Sequence, residues 1–354
     1  MADSHARVKK GIWNSREFAD VCQDVASEPA DIPIAVVVAR KRRESFSPTL
    51  RERPKFVSCL RIGATSLVLT LLWVQQPHAQ LASRQAPANG PKTLLETLNG
   101  KDAGQGNESG NDDERLDPDR PHFPEATTAV GKDRVMLESG YTFATKDSSF
   151  LSHSYPEAVL RVGIFADWFE FRLGQNFFHE EEKMGGVTNV LNGAQDLYLG
   201  MKLALTKQRD LFPAIAVIPQ MMVPTGSSDF TANRVLPGLN LDMSWEIVKN
   251  FFSVEMLIAN NEVAGKYASE IHTSHFETAT GITAAFQVTK RLEAFAEWDA
   301  IYQIDGSERG PRHYAVGGLV YFISNNLEVD ARAGMGLNER SNSLIAGVGF
   351  AVRF

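Results

Sequence analysis

Residues 341–354 read SNSLIAGVGFAVRF and end the chain on a phenylalanine. The apolar residues of one parity are Leu344, Ala346, Val348, Phe350, Val352 and Phe354. The other parity holds Ser343, Gly347, Gly349 and Arg353, with Ile345 and Ala351 as apolar exceptions. Because side chains alternate faces along a β-strand, this segment predicts a strand with one apolar and one small or polar face. Such a strand, closed by an aromatic residue, is typical of the end of a bacterial outer-membrane β-barrel, although a half-buried strand of a soluble sheet has the same pattern.

The same alternation recurs eleven times before this segment. It is clearest at 327–338, where Leu, Val, Ala, Ala, Met and Leu alternate with Glu, Asp, Arg, Gly, Gly and Asn. The predicted strands are 134–145, 154–165, 169–179, 195–206, 213–224, 239–248, 252–261, 276–288, 292–303, 313–323, 327–338 and 343–354. An even count of this size is found in bacterial barrels. The sequence therefore predicts an all-β fold, a twelve-stranded antiparallel transmembrane β-barrel of the outer membrane.

The connections between the predicted strands alternate in length. Short joins such as ADW, TKR and SNN follow every second strand, and longer ones such as GSSDFTANRVLPG mostly separate the others. Barrels of this class have short periplasmic turns and long extracellular loops, so both barrel termini are expected in the periplasm. The alternative is a soluble all-β sandwich or propeller. Strands of about 9–13 residues are long for a soluble sheet, whose commonest strand length is about 5–6, and favour the barrel.

Composition is compatible with this fold and excludes some partners. Hydrophobic residues make up 43% of the 354 residues, and no run of about 18 apolar residues is present. Both cysteines, Cys22 and Cys59, precede the predicted strands, so the barrel region has no thiol for a disulfide or a thiolate metal site. The net charge is −7, and without residues 1–79 it is −11. An acidic chain argues against nucleic acid as a partner.

The N-terminal region divides into three predicted segments. A basic stretch from Arg51 to Arg61 precedes the apolar run 62–74, and Ala79 offers a small residue for cleavage, which together are typical of a secretory signal peptide at 57–79. Residues 1–56 would then be a mis-assigned start or a disordered extension. Residues 80–133 are rich in Gly, Asn, Asp and Pro around 98–121 and predict a flexible periplasmic leader, with a turn or two of helix at 94–100. The barrel is assigned to 134–354.

Several segments together resemble the family known as "MetA-pathway of phenol degradation" proteins, outer-membrane barrels grouped with FadL-type transporters of hydrophobic compounds. The resemblance covers 119–354 and rests on DRPHFPEATTAVGKDRVMLESGYTF (119–143), SYPEAVLRVGIFADWFEFRLG (154–174), QDLYLGMKLALT (195–206), PAIAVIPQMMVPTG (213–226), AVGGLVYFISNNLEVDARAGMGLN (315–338) and GVGFAVRF (347–354). It implies a porin-like protein for passive uptake or binding of small hydrophobic or aromatic compounds. The alternative is a structural envelope protein with an occluded lumen and no transport role. The family motifs name no ligand residue.

Charged residues on the polar faces predict the lining of the lumen. The candidates are Arg172, Lys202, Glu246, Glu293, Glu297, Asp299, Asp330 and Arg332. Acids outnumber bases on these faces, which would favour cations in an open pore. Alternatively the charges pair and fill a small barrel. We expect Arg332 to be the main counter-charge of an acidic wall, reaching at least one carboxylate of 292–303 or 327–338, with Ala315 and Gly317 of the intervening strand turned inward.

Other candidate sites are weaker. His179 with Glu180, Glu181 and Glu182 could hold a divalent cation, but an exposed run of charges is more often solvated. His272, Ser274 and His275 lack the acid partner and strained turn of a serine hydrolase. No catalytic residue, metal site or cofactor is therefore predicted, and an enzyme is not expected.

Aromatic residues near the short turns, among them Phe165, Trp168, Phe212 and Phe251, predict a girdle at the lipid interface rather than a ligand platform. The expected partners are outer-membrane lipid, a small hydrophobic or aromatic solute, and the barrel-assembly machinery through the strand that ends at Phe354.

Overall fold

The computed structural model of the protein describes residues 92–99, 115–265, 273–304 and 310–354. The predicted segments 1–56 and 57–79 lie outside the described residues. The elements are α1 (Leu94–Leu98), β1 (Val135–Lys146), β2 (Phe150–Gly163), β3 (Phe169–Met184), β4 (Val187–Ala194), β5 (Leu197–Thr206), β6 (Ala214–Val223), β7 (Leu236–Val248), β8 (Phe252–Ala264), β9 (Ser274–Gln287), β10 (Leu292–Gln303), β11 (Gly310–Ser324), β12 (Leu327–Gly336) and β13 (Leu344–Arg353). Among these residues no helix is long and apolar enough to cross a membrane.

The sheet closes on itself. Consecutive strands pair antiparallel, except that β5 pairs with β3 instead of β4, and β13 closes the wall by pairing with β1. β4 and β5 lie end to end beside β3, which pairs with β4 through Phe177–Met184 and with β5 through Phe169–Gly174. They therefore occupy one position in the wall, and the barrel has twelve strands. The predicted twelve-stranded antiparallel barrel is confirmed.

The largest difference in the wall concerns the predicted loop after the third strand. Residues 180–194 were expected to be irregular, but β3 continues to Met184 and turns back as β4. The turn is Gly185–Gly186, whose φ angles of +57° and +83° suit a two-residue hairpin turn that glycine adopts without strain. This part of β3 was not predicted because the glutamates at 180–182 interrupt the alternation of apolar and polar residues.

The two faces of the wall differ in chemistry. Buried acids and bases face the lumen, and large apolar side chains such as Val329, Val348 and Phe350 are exposed on the outside. On β11 the expected parity is wrong: Val320 and Phe322 are buried, whereas Leu319 and Tyr321 are about half exposed. Ala315 and Gly317 therefore face outward. Both parities of this strand are apolar or small, so the sequence pattern could not choose between its faces.

Candidate functional site: the barrel lumen

The lumen contains the chain segment that precedes the barrel. We call residues 115–133 the inner loop. The amide of Leu116 donates to the carbonyl of Asn325 (2.7 Å), and that of Asp133 to Gly163 (3.0 Å), so both ends of the loop lie at the short-turn end of the barrel. Between them the amide of Phe123 reaches the Glu297 carboxylate on β10 (2.8 Å). The inner loop therefore enters, turns near Phe123 and leaves at the same end.

This placement corrects the expectation of a flexible leader for the part 115–133. The loop contacts side chains on β1, β2, β3, β5, β7, β8, β10 and β12, which surround it and can be reached together only from within the lumen. Leu116 and Val130 also join a buried apolar cluster with Met136, Val320 and Phe322. Of the remaining leader, 92–99 includes the short helix α1, as expected, and residues 80–91 and 100–114 lie outside the described residues.

Asp119 is the main acidic anchor of the inner loop. Its carboxylate lies 2.6 Å from Nζ of Lys202 and 3.3 Å from a guanidinium nitrogen of Arg161, and it also pairs with Arg172. These three cations come from β5, β2 and β3 and are almost fully buried. Arg161 in turn bonds Glu138 and Glu170, each at 2.8 Å. One loop carboxylate thus joins three strands through charge-assisted hydrogen bonds.

Arg120 is the matching basic anchor. Its guanidinium reaches Glu157 on β2 at 3.1 Å and Asp330 on β12 at 3.3 Å. β2 and β12 are the two strands that flank the β1–β13 pair. His122, two residues later, lies 2.9 Å from the Glu255 carboxylate on β8. The inner loop therefore supplies cations to the acidic wall as well as an anion to its basic part.

Backbone amides of the inner loop donate hydrogen bonds to acidic side chains of the wall. The amides of Asp119 and Arg120 donate to Glu138, at about 3 Å. Those of Glu125 and Val130 donate to Asp242 and Glu170 at 2.9 and 2.8 Å. Peptide N–H groups hydrogen-bond carboxylates without carrying a charge, so the wall can hold more acids than bases. The acidic excess seen in the sequence is in large part the docking site of the inner loop.

The structure brings seven of the eight predicted lining residues into the interior. Arg172, Lys202, Glu297, Asp299 and Asp330 are buried, and Glu293 and Arg332 are partly buried. Glu246 is the exception and corrects the prediction. It is exposed at the short-turn end, where its carboxylate accepts from the amide of Asn250 (2.7 Å) and its own amide donates to Gln208. Glu246 still pairs in register with Ser253, but it is the last such residue before the turn, so its side chain reaches solvent.

Arg332 does not have the role expected for it. It donates to the carbonyl of Pro121 (2.8 Å) and to Oγ1 of Thr142 (3.1 Å), and among the described residues no carboxylate oxygen lies within 4 Å of its guanidinium. The prediction that it is the main counter-charge is therefore not supported by an ion pair within 4 Å among the described residues. Arg120 occupies that role for Asp330, and no strand pattern could place a residue that precedes the barrel.

Two cavities lie on the long-loop side of the inner loop. The first, which we call the vestibule, has a volume of about 260 Å³. Its aromatic lining is Phe123, Phe150, Phe178, Phe230 and Tyr314, and its charged lining is Glu157, Glu180, Glu297, Asp299, Arg312 and Arg332. Because Phe123 sits at the turn of the inner loop, the loop forms the floor of the vestibule.

The second cavity, the side cavity, has a volume of about 270 Å³ and borders β3, β5 and β7. Arg172, Tyr198 and Glu125 lie on one side, with carboxamides of Gln175, Asn176 and Gln195. Val159, Met222, Leu236 and Val263 add apolar lining, and the first three lie in the same cross-strand row as Tyr198. Gln195 and Ala264 line both cavities, so the vestibule and the side cavity are adjacent.

The loop 224–235 folds inward beside both cavities. Asp196, in the interruption between β4 and β5, accepts the amides of Gly226 (3.0 Å) and Ala232 (3.4 Å). This anchor buries Phe230, whose ring stacks on Phe178 at a centroid distance of 5.7 Å. The apolar part of the vestibule wall therefore depends on one buried carboxylate, that of Asp196.

The weaker candidate sites remain without chemistry. His179 bonds Asn192 and Glu181, and among the described residues no group of three His, Cys, Asp or Glu side chains could hold a metal ion. His275 pairs with Glu277 at 3.0 Å, and His272 lies outside the described residues.

Comparisons with known proteins agree with the barrel. The family model "Putative MetA-pathway of phenol degradation" matches residues 118–354. The fold is similar to the crystal structure of an outer-membrane channel from Pseudomonas putida F1, with a TM-score of 0.55 and 12% identity over 66% of this chain and 100% of that one. The translocator domain of the autotransporter NalP from Neisseria meningitidis aligns with a TM-score of 0.39 and 10% identity, over 62% of this chain and 88% of that one. No curated protein matches the sequence.

Proposed function

Because the chain belongs to the "MetA-pathway of phenol degradation" family, a family of outer-membrane barrels, we propose that it binds small hydrophobic or aromatic compounds and admits them passively across the outer membrane. In this proposal the barrel termini and the short turns are periplasmic, and the vestibule opens toward the cell exterior. The role is that of a binding and uptake protein without a catalytic step.

The observation that carries the proposal is the vestibule. Five aromatic rings line a space of about 260 Å³. An apolar cavity of about 150 Å³ is enough to hold benzene, so this space suits one aromatic ring with a short substituent. The rings share the lining with six charged residues, so a ligand would pack its apolar body on the rings while polar groups fix its orientation.

The vestibule has six charged residues in its own lining, and a second group of charges lies beneath it. Asp119, Arg161, Arg172 and Lys202 pair with one another or with neighbouring acids beneath the vestibule. A solute in the vestibule would therefore meet Phe123 before it meets these charges. Passage beyond this point would require part of the inner loop to move.

The alternative is a structural envelope protein with an occluded lumen. The inner loop favours it, because the loop ties eight strands together and fills the short-turn half of the barrel. The two functions differ in whether the vestibule binds a solute and whether that solute crosses.

Binding and flux of toluene test the proposal. The full chain would be purified from outer membranes, and toluene binding would be measured in detergent and toluene flux in proteoliposomes. We expect saturable binding that Phe178→Ala weakens about tenfold, since an aromatic pair and its buried area are lost. Phe171→Ala, on the lipid-facing side of the same strand, is the matched control and should leave binding unchanged. Absence of binding and flux by the wild type would favour the structural alternative.

We also propose that assembly machinery recognises the closing strand. Phe354 ends it, pairs with Val135 through two backbone hydrogen bonds of 3.2 and 2.8 Å, and keeps its ring exposed. Deletion of Phe354 should lower the amount of folded barrel in the outer membrane, and an unchanged amount would contradict this role.

A further inference from the structure

Two carboxyl groups lie side by side at the floor of the vestibule. Glu297 and Asp299 occupy successive inward positions of β10, both line the vestibule, and their side chains interact directly. They are only 6% and 5% exposed. Among the described residues no side-chain nitrogen of a lysine, arginine or histidine lies within 4 Å of either carboxyl group. Because like charges repel at close range, a bound cation would stabilise this pair.

One oxygen of each carboxyl group is already placed against the protein. Oε2 of Glu297 accepts both the Phe123 amide (2.8 Å) and the Thr283 hydroxyl (2.6 Å). Oδ1 of Asp299 has no accessible surface and lies over Gly281, 3.0 Å from the position of a Cβ atom there. Neither Oε1 of Glu297 nor Oδ2 of Asp299 is enclosed in this way. Since both residues line the vestibule, these are the two oxygens that a ligand can reach.

Aromatic rings flank Asp299 on both sides. Tyr314 lies directly opposite it on β11, and Gly281 lies opposite it on β9. Gly281 has no side chain, and the ring of Phe123 fills that place, with Cδ1 2.8 Å from the position of a Cβ atom. Tyr314 and Phe123 both line the vestibule. A carboxylate between aromatic rings suits an organic ammonium group, because the rings attract a cation and pack against its carbon atoms.

The two cations of the lining do not contact this pair. Arg312 forms an ion pair with Glu277, which lies outside the lining. The terminal nitrogens of Arg332 donate to a carbonyl of the inner loop (2.8 Å) and to a hydroxyl of β1 (3.1 Å). Arg332 acts on Asp299 only at longer range, where it sets one positive charge against two acids. An anion would meet both carboxyl groups at the floor and is disfavoured.

We propose that the vestibule binds small aromatic amines as ammonium ions, with the ammonium group donating to Glu297 and Asp299 and the ring lying against Phe178 and Phe230. An ammonium group has three N–H donors, enough for both accessible oxygens. Phe178 and Phe230 stack on each other and belong to the same lining. The inference rests on the proposed function, because it assigns a substrate class to the same vestibule. It adds a preference for positive charge to the general preference for aromatic compounds.

Three probes that share a phenylmethyl group test this preference: benzylammonium, ethylbenzene and phenylacetate. With the full chain in detergent at neutral pH, we expect benzylammonium to bind about tenfold more tightly than ethylbenzene, because charge-assisted hydrogen bonds outweigh its loss of hydration. Phenylacetate should bind most weakly. Asp299→Asn keeps the shape of the side chain and removes its charge, so it should weaken benzylammonium binding about tenfold and leave ethylbenzene binding unchanged. Asp229→Asn, on the 224–235 loop and outside the lining, is the matched control and should leave the order of the probes intact.

The outcomes separate this inference from the proposed function. If none of the three probes binds, the proposed function fails and the inference with it. If ethylbenzene binds as tightly as benzylammonium, the proposed function stands and the inference is overturned. The same holds if Asp299→Asn weakens ethylbenzene and benzylammonium equally, or leaves benzylammonium binding unchanged. The order of the probes on the wild type needs no variant, so it decides the matter even if Asp299→Asn does not fold.

Discussion

Nζ of Lys202 on β5 lies 2.6 Å from the carboxylate of Asp119 on the inner loop. Lys202 has no solvent exposure, and Arg161 and Arg172 share the same carboxylate. One carboxylate outside the barrel wall therefore contacts three buried cations within it, and Glu125, Glu138 and Glu170 pair with the same cations. The inner loop is held mainly by electrostatic and hydrogen-bonding contacts, and the lumen is complete only with the loop in place.

Replacement of Asp119 should release the inner loop. Asp119→Asn removes the anion and leaves three buried cations without their shared partner, which costs roughly 3–5 kcal/mol for a buried pair. We expect a glutamate-specific endopeptidase to cleave after Glu125 in the folded variant and not in the wild type. Asp133→Asn is the matched control, because Asp133 is largely exposed and asparagine tolerates its φ of 61°. Continued protection of the Glu125–Ala126 bond in Asp119→Asn would contradict the anchoring role.

Loss of Arg120 should reduce the stability of the barrel more than loss of Arg332. Arg120→Gln leaves Asp330 and Glu157 without their cation, whereas Arg332→Gln loses hydrogen bonds to a carbonyl and a hydroxyl only. We expect a loss of roughly 3–5 kcal/mol in the first variant and about 1–3 kcal/mol in the second. Guanidinium titration of the folded barrel in detergent measures both. Equal losses would restore Arg332 as a principal counter-charge.

A charged side chain introduced at a lipid-facing position should destabilise the barrel more the closer it lies to the bilayer midplane. Ala331 faces outward in the middle of β12, paired with Leu319 and Val348, and Ala331→Arg should cost about 2–4 kcal/mol as at a bilayer midplane. Leu337 lies just past the long-loop end of the same strand, and Leu337→Arg should cost about 0–1 kcal/mol. Folding titrations in lipid vesicles give both values. Equal losses of stability in the two variants would show that Ala331 does not lie near the bilayer midplane.

A cross-link between loop and wall tests whether passage needs loop movement. Oγ1 of Thr127 and Oγ of Ser244 on β7 are 2.7 Å apart, close enough to place two cysteines within reach of a disulfide. In a Cys22→Ser, Cys59→Ser background, oxidised Thr127→Cys/Ser244→Cys should lose solute flux but keep binding in the vestibule. Reduction should restore flux, and each single-cysteine variant is a control. Unchanged solute flux in the oxidised protein would show that passage does not require the inner loop to move away from β7.

Strand prediction succeeded where the two faces of a strand differ strongly. On β12, Glu328 and Asp330 alternate with Val329 and Ala331, and the structure buries the first pair and exposes the second. On β11, Val320 and Tyr321 do not differ in this way, and the parity was assigned wrongly. Glu246 was misplaced for another reason: it keeps the inward parity and pairs with Ser253, but it lies at the short-turn end, where its side chain is exposed.

The barrel's strand number, its closing strand and the sign of the wall charge were determined by the sequence itself, because each follows from local alternation with a period of two residues. The inner loop was decided by tertiary structure. Residues 115–133 lack the apolar area to order themselves, and they are ordered by charges and amide acceptors that come from eight different strands. Those groups meet only after the sheet closes, so no local pattern around Asp119 or Arg120 could reveal their partners. The two cavities have the same origin, because their walls combine the inner loop, the 224–235 loop and several strands.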